Sequence, residues 1–335
     1  LPPDNFQEDR TPISAHRTSP TNMGLLLLST SSVHDLGYVS SLEFVERDEL
    51  TFATMARLGP LNGHFFNWYD TKTLEPLLPQ YISTVDSGNL AGHLIAVKQK
   101  CIDLPDDKLF DQRVVAGFSD TVNAIALEAA TLGSFRKRTD VVTVRNLQDE
   151  IAACRKLLDN ATYENLDSWF ALLDSLTRRA SEIEDIVNAL AHEHGESSFK
   201  ELRWWVGAFK HQAGCYLRDA VDLTPWGRLL PSLRQQVQAT DNDWQALIGA
   251  LEVVPSLAEV PPLCDRVLVQ LAALESPNLP SSAPAITKAL EQSASTSTDL
   301  LSRLSRLSRR CDQIIEEMDF SILFDVERKL FTIGY

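Results

Sequence analysis

The sequence predicts a mainly α protein with short β-hairpin excursions and a long helical-hairpin region. Three observations carry this: apolar residues recur at helical spacing through most of the chain, helix starts and stops punctuate it, and extended segments are few and aromatic. Pro20 after Ser19 marks a start, with the serine as cap and proline at the first helical position. That helix should run to about Asp35 and stop at Gly37. A second helix is expected near Ser40, with Glu43 completing a capping box. Its apolar stripe is Leu42, Val45, Leu50, Phe52, Met55 and Leu58, and Gly59-Pro60 ends it.

Next come Gly63 to Asp70, whose aromatic density favours an extended segment, and a hairpin-like turn at Asp70 to Thr73. Tyr81 to Val85 should return extended before Asp86-Ser87-Gly88-Asn89 opens a helix through Leu90, Leu94 and Val97. Beyond residue 103 the texture turns helical. Leu147, Ile151, Cys154 and Leu158 form one stripe, and Leu166, Trp169, Phe170, Leu173, Leu176, Ile183, Val187 and Leu190 another. A third runs Phe199, Leu202, Trp205, Phe209, Tyr216 and Leu217, as suits hairpins of helices packed side by side. Leu274 to Ala283 is the best linker candidate. A last helix carries Leu300, Leu304, Leu307, Cys311, Ile314 and Met318 at near-heptad spacing. Phe320 to Phe324 and Lys329 to Ile333 look like two short strands around a turn at Asp325 to Arg328.

Composition narrows the function. A formal charge of −15 over 335 residues repels phosphate backbones and argues against nucleic-acid binding. The densest basic cluster, Arg136-Lys137-Arg138, is short and reads as a solvated loop or helix end. Five dispersed cysteines without a C-x-x-C offer no zinc spacing and fit reduced, mostly buried thiols. No apolar run approaches the roughly 18 residues a membrane span needs. His192-Glu193-His194 is not a zinc motif, because residues two apart diverge on a helix. Arg303, Arg306 and Arg310 are expected in surface ion pairs, and Asn160-Ala161-Thr162 matches a glycosylation acceptor without a secretory signal to support its use. There is no P-loop, no G-x-G-x-x-G and no G-x-S-x-G, and neither a metal nor a cofactor is expected. Both ends of the chain look like cuts.

A sugar site needs aromatic faces for pyranose C–H surfaces, planar polar side chains that bridge hydroxyls, and carboxylates. Residues 1–93 hold all three. Asp4, Asn5 and Gln7 precede His16, Arg17, Thr18 and Asn22; His64, Asn67, Trp68, Tyr69 and Asp70 form an aromatic block; Asp86, Asn89 and His93 follow. Plainer roles are open to each. Asn22 and Asp86 are also good helix caps, Phe65 and Phe66 suit a core, and Arg17 has Asp4 or Glu8 as ion-pair partners. The histidines suit a hydrogen-bonded scaffold, and alternation along an extended segment sends Trp68 and Tyr69 to opposite sides.

Three segments resemble bacterial cyclic β-1,2-glucan synthases, the NdvB-like proteins. They are LPPDNFQE at 1–8 with AHRTSPTNMGLLLLST at 15–30, GHFFNWYDTKTLEPLLPQYISTVDSGNLAGHL at 63–94, and MDFSILFDVERKLFTIGY at 318–335. The helical stretch 103–317 resembles the family only in position and character. In such proteins a membrane glycosyltransferase using UDP-glucose precedes a glycoamylase-like, (α/α)6-type part that cyclises the linear glucan by transglycosylation, and a phosphorylase-like part that trims chain length. The resemblance implies that this chain opens the middle part, with 1–102 starting a partial (α/α)6 toroid, 103–317 a helical insertion and 318–335 the resumed barrel.

It further implies a β-1,2-glucan chain and the other domains of the polypeptide as partners, and a place at the cytoplasmic face of the bacterial inner membrane. Arg17, Asn22, His64, Asn67, Trp68, Tyr69, Asp70 and Asp86 become candidates for contacting the sugar or shaping its site. Retaining transglycosylation calls for two carboxyl groups about 5 Å apart. The resemblance puts that pair beyond residue 335, so the chain alone is expected to be inactive. Two alternatives have other physical bases: a helical scaffold docking the glycosyltransferase to downstream domains, and a plain glucan-binding module.

Overall fold

A computed structural model describes residues 1–7, 13–132, 138–161, 165–238, 241–274 and 280–334, with the side chains of 138–142 left aside. Arg136, Lys137 and the side chain of Arg138, residues 275–279 of the 274–283 linker, Thr162 of the glycosylation acceptor and Glu8 lie outside what is described. In chain order the elements are β1 (Phe6–Gln7), β2 (Ile13–Ser14), β3 (Arg17–Thr18), α1 (Pro20–Asp35), α2 (Ser41–Met55), β4 (Tyr69–Asp70) and α3 (Thr84–Asp103). Then follow α4 (Gln112–Thr131), α5 (Arg138–Asp159), α6 (Leu166–His194), α7 (Lys200–Leu223), α8 (Leu230–Gln236), α9 (Asn242–Glu252), α10 (Val260–Ala273), α11 (Ala283–Glu317), β5 (Phe324–Asp325) and β6 (Leu330–Phe331). The strands form three antiparallel pairs, β1–β2, β3–β4 and β5–β6. The fold is mainly α, as the sequence predicts.

The chain divides into two compact units. One holds Leu1–Val33, Glu43–Pro105 and Leu300–Tyr335; the other holds His34–Leu42 and Asp106–Asp299. A break between Asp299 and Leu300 gives the C-terminal half of α11 to the first unit.

In the first unit α1 starts as read. Ser19 Oγ accepts from the Asn22 N–H (3.3 Å), satisfying a first-turn donor, and Pro20 takes the first position. Met23 and Leu27 of α1, Phe44, Val45, Phe52 and Met55 of α2, and Leu90, Leu94 and Val97 of α3 are buried, with Leu300, Leu304, Leu307 and Cys311 of α11. Ion pairs Lys98–Asp312 (2.8 Å) and Arg303–Glu49 (2.7 Å) join α11 to α3 and α2. Arg306 and Arg310 turn to Ser302 and Gln313 on their own helix. At Gly63 (φ +78°) an added Cβ would lie 1.7 Å from the Glu317 carbonyl oxygen, so only glycine fits.

Several local expectations are corrected. Leu50 is 70% exposed, and the buried place between Val45 and Phe52 belongs to Asp48. Val85 is not extended: α3 begins at Thr84, because Ser83 caps it by accepting from the Asp86 N–H (3.2 Å), which puts Asp86 inside the first turn. Phe320–Leu323 is a 3₁₀ turn capped by Asp319, and only Phe324–Asp325 pairs as a strand.

In the second unit α4, α5, α6 and α7 form a ring in which each packs on two others. Trp169, Phe209, Tyr216 and Phe118 fill it, with Phe118 edge-on to Phe209 at 6.1 Å. Trp226 is sealed in, its indole N–H donating to the Leu251 carbonyl (3.0 Å). The turn Ser40–Leu42 does not use the expected capping box. Asp219 Oδ1 accepts from the Ser40 hydroxyl (2.7 Å) and Oδ2 from the Leu42 N–H (3.1 Å), so a long-range carboxylate supplies what Glu43 was expected to. Burial pushes this carboxyl up to about 7 against the pull of those hydrogen bonds.

Candidate functional site: an aspartate-centred polar cluster

All eight residues singled out lie in the first unit, and five of them converge. The mechanism is local. β3 pairs with β4 so that Arg17 faces Asp70 and Thr18 faces Tyr69, which sets the chain before α1 against the aromatic block. The Asn67 N–H donates to the Tyr81 carbonyl (2.8 Å), which ties the same block to the approach to α3. The starts of α1 and α3 thereby meet at one place.

Asp86 is the centre. Its Oδ1 accepts from the Thr21 hydroxyl (2.7 Å), whose oxygen in turn accepts from Asn89 Nδ2 (3.1 Å). With its amide turned to satisfy every neighbour, Asn67 donates Nδ2–H to Asp86 Oδ2 (2.7 Å), and its Oδ1 accepts from Tyr81 OH (2.7 Å) and Trp68 Nε1 (2.8 Å). The carboxylate also lies in the first turn of α3, where the helix dipole favours negative charge.

Beside it, the Arg17 guanidinium lies 4.3 Å from the centre of the Trp68 ring and pairs with Asp4 Oδ2 (3.0 Å). Asp4 Oδ1 accepts from Asn22 Nδ2 (3.3 Å), so Asp4, not a helix cap, is what Asn22 holds. Asp4 is thus a partner of Arg17, while Glu8, the other one weighed, lies outside the described residues.

The other three candidates stand apart from the cluster. His64 is fully buried, its Nδ1 3.0 Å from Ser87 Oγ and its ring edge-on to Phe320 at 4.8 Å. Tyr69 is fully buried as well. Its hydroxyl accepts from the Phe66 N–H (3.1 Å) and donates to the Gly59 carbonyl (3.2 Å), and burial raises its pKa. Both can shape the site but cannot touch a surface ligand. Asp70 closes the turn after β4, its Oδ1 accepting from the N–H groups of Lys72 and Thr73. The Thr73 bond is the larger cause holding its carboxyl below the usual range.

The chemistry follows from the lone pairs. Asn67 has both acceptor sites and one donor taken by protein, so it positions. Asp86 accepts two bonds and retains acceptor capacity for hydroxyl groups. Trp68 is half-buried with one face under Arg17. Thr21 and Tyr81, which sequence reasoning passed over, complete the frame. A threonine in the first helical turn and a tyrosine fourteen residues from an asparagine carry no distinguishing local signal.

No family model matches the chain. The chain is similar to part of a curated glucan synthase. That relative is the cyclic beta-(1,2)-glucan synthase NdvB of Rhizobium meliloti (strain 1021), 36% identical over 222 residues, which are 66% of this chain and 8% of the relative. The resemblance read from the sequence is borne out to that extent. No helix among the described residues is long and apolar enough to cross a membrane.

Proposed function

We propose that the chain works within a cyclic β-1,2-glucan synthase, in the part that transglycosylates and closes the linear glucan made from UDP-glucose. The Asp86 cluster then holds the glucan chain. The observation that carries this reading is the convergence of a carboxylate with spare acceptor sites, an arginine-covered indole and two amide side chains at the paired starts of α1 and α3. Asp86 accepts glucose hydroxyl protons, Arg17 and Asn22 bridge neighbouring hydroxyls, and the free parts of Trp68 meet a pyranose C–H face. His64, Tyr69 and Asp70 set the shape of the surface.

In this reading the first unit opens a glycoamylase-like (α/α) toroid, and the acid/base and nucleophile lie outside residues 1–335. The remaining domains of the synthase are its partners, and it works at the cytoplasmic face of the inner membrane. A second reading, a helical docking scaffold, draws on the 35-residue α11 and the ring α4–α7.

Trp68→Ala and Asp86→Asn in the full-length synthase separate the two. The expected result is at least a tenfold loss of cyclic product with linear glucan still made from UDP-glucose. Unchanged cyclisation would sink the proposal, and impaired polymerisation or assembly would favour the scaffold.

A further inference from the structure

Away from the cluster, within the second unit, a groove of about 600 Å³ runs between the last turns of α5 and the first half of α6. That volume is within the range of small-molecule sites, about 300–1,000 Å³. Leu157 and Leu172 give it an apolar floor; Lys156, Arg179, Ser168 and Ser175 give it polar walls. Glu150 takes one end of the Arg179 guanidinium through Nη1, while Arg179 Nε is buried and meets no acceptor. Arg179 shares its charge with Glu150, and Lys156 adds a second cation to a lining that holds no carboxylate.

We propose that this groove binds an organic phosphate: a phosphoryl group held by Lys156, Arg179 and the two serine hydroxyls, with the attached body resting on Leu157 and Leu172. The donor set selects the anion. A guanidinium fork, a point-charge ammonium and two hydroxyls are more donors than a planar carboxylate can use, and they suit the terminal oxygens of a phosphate. The apolar floor distinguishes an esterified phosphate from the bare ion. A water-borne phosphate ester and a phospholipid headgroup share this chemistry.

The test titrates the chain with glycerol 3-phosphate by calorimetry, and measures its co-sedimentation with phosphatidylglycerol vesicles against phosphatidylcholine vesicles. Two variants accompany it: Lys156→Ala, which removes a cation, and Ala171→Leu, which fills the groove from an exposed lining position and leaves every charge in place. Saturable binding of the ester, weakened at least tenfold by each variant, supports a water-borne ligand. Retention on phosphatidylglycerol vesicles alone, lost in both variants, supports the headgroup. Binding of neither probe overturns the proposal, as does binding that Ala171→Leu leaves intact, since that is surface charge without a groove.

Discussion

The start of α3 and the ring α4–α7 are built by opposite means. In the ring, position is set by apolar volume: Trp169, Phe209 and Phe118 fill space, and polar pairs such as Arg155–Asn123 and Lys210–Glu184 join neighbouring helices in exposed positions. At the start of α3, position is set by hydrogen bonds, with Thr21, Asn67, Tyr81 and Trp68 each fixing a neighbour around one carboxylate. A packed ring tolerates polar change on its outside and punishes lost volume. A hydrogen-bonded frame on a surface contributes little to stability but holds side chains where a ligand can use them. Ablating each type therefore separates folding from binding.

The largest expected effect is in the ring region. Trp226→Ala empties a sealed site and strands the Leu251 carbonyl, at a cost of about 3–5 kcal/mol by denaturant unfolding. Asp219→Ala follows, leaving the Ser40 hydroxyl and the Leu42 N–H without their carboxylate. A loss of about 2–3 kcal/mol is expected, against a smaller one for Asp219→Asn, which keeps one acceptor.

Asp48 provides a pH-dependent comparison. It is fully buried on α2 with neither carboxylate oxygen hydrogen-bonded, and burial pushes it up to about 8. Its folded pKa lies above the unfolded value of about 3.9. The proton is therefore bound more tightly in the folded state, and the stability this gives is complete below pH 4 and lost as pH rises towards 8. Thermal unfolding across pH 5 to 8 should show a decline to which Asp48 contributes up to about 1.4 kcal/mol per pH unit, so Asp48→Asn should flatten the profile by that share and leave the part due to Asp219. Parallel profiles for the two proteins would refute this. The smallest effect is expected at the surface frame. Asn89→Ala should change stability by less than about 0.5 kcal/mol, because its bond to Thr21 is exposed to water.

How much was legible follows the same division. The Ser19-Pro20 start, the Asp35 end and the stripes of α5, α6 and α7 were plain, because capping chemistry and helical period are local. The polar types that assemble the cluster were legible too, since Arg17, Asn22, Asn67, Trp68 and Asp86 are unusual company near helix starts. Which of them face outward was not: alternation separates Trp68 from Tyr69 but does not say which side is the core. The Ser40 capping box misled because the winning carboxylate, Asp219, is 179 residues away.

One signal was present and unread. Asp48 follows Val45 by three and precedes Phe52 by four, which puts a carboxyl on the buried face of its helix.

The central claim is that the Asp86 frame holds a glucan chain. Calorimetric titration of this chain with linear β-1,2-gluco-oligosaccharides tests it most directly, with Trp68→Ala and Asp86→Asn as partners. The account predicts saturable binding that each substitution weakens at least tenfold, with unfolding midpoints close to the parent's. Equal binding by all three proteins, or none by the parent, would contradict it.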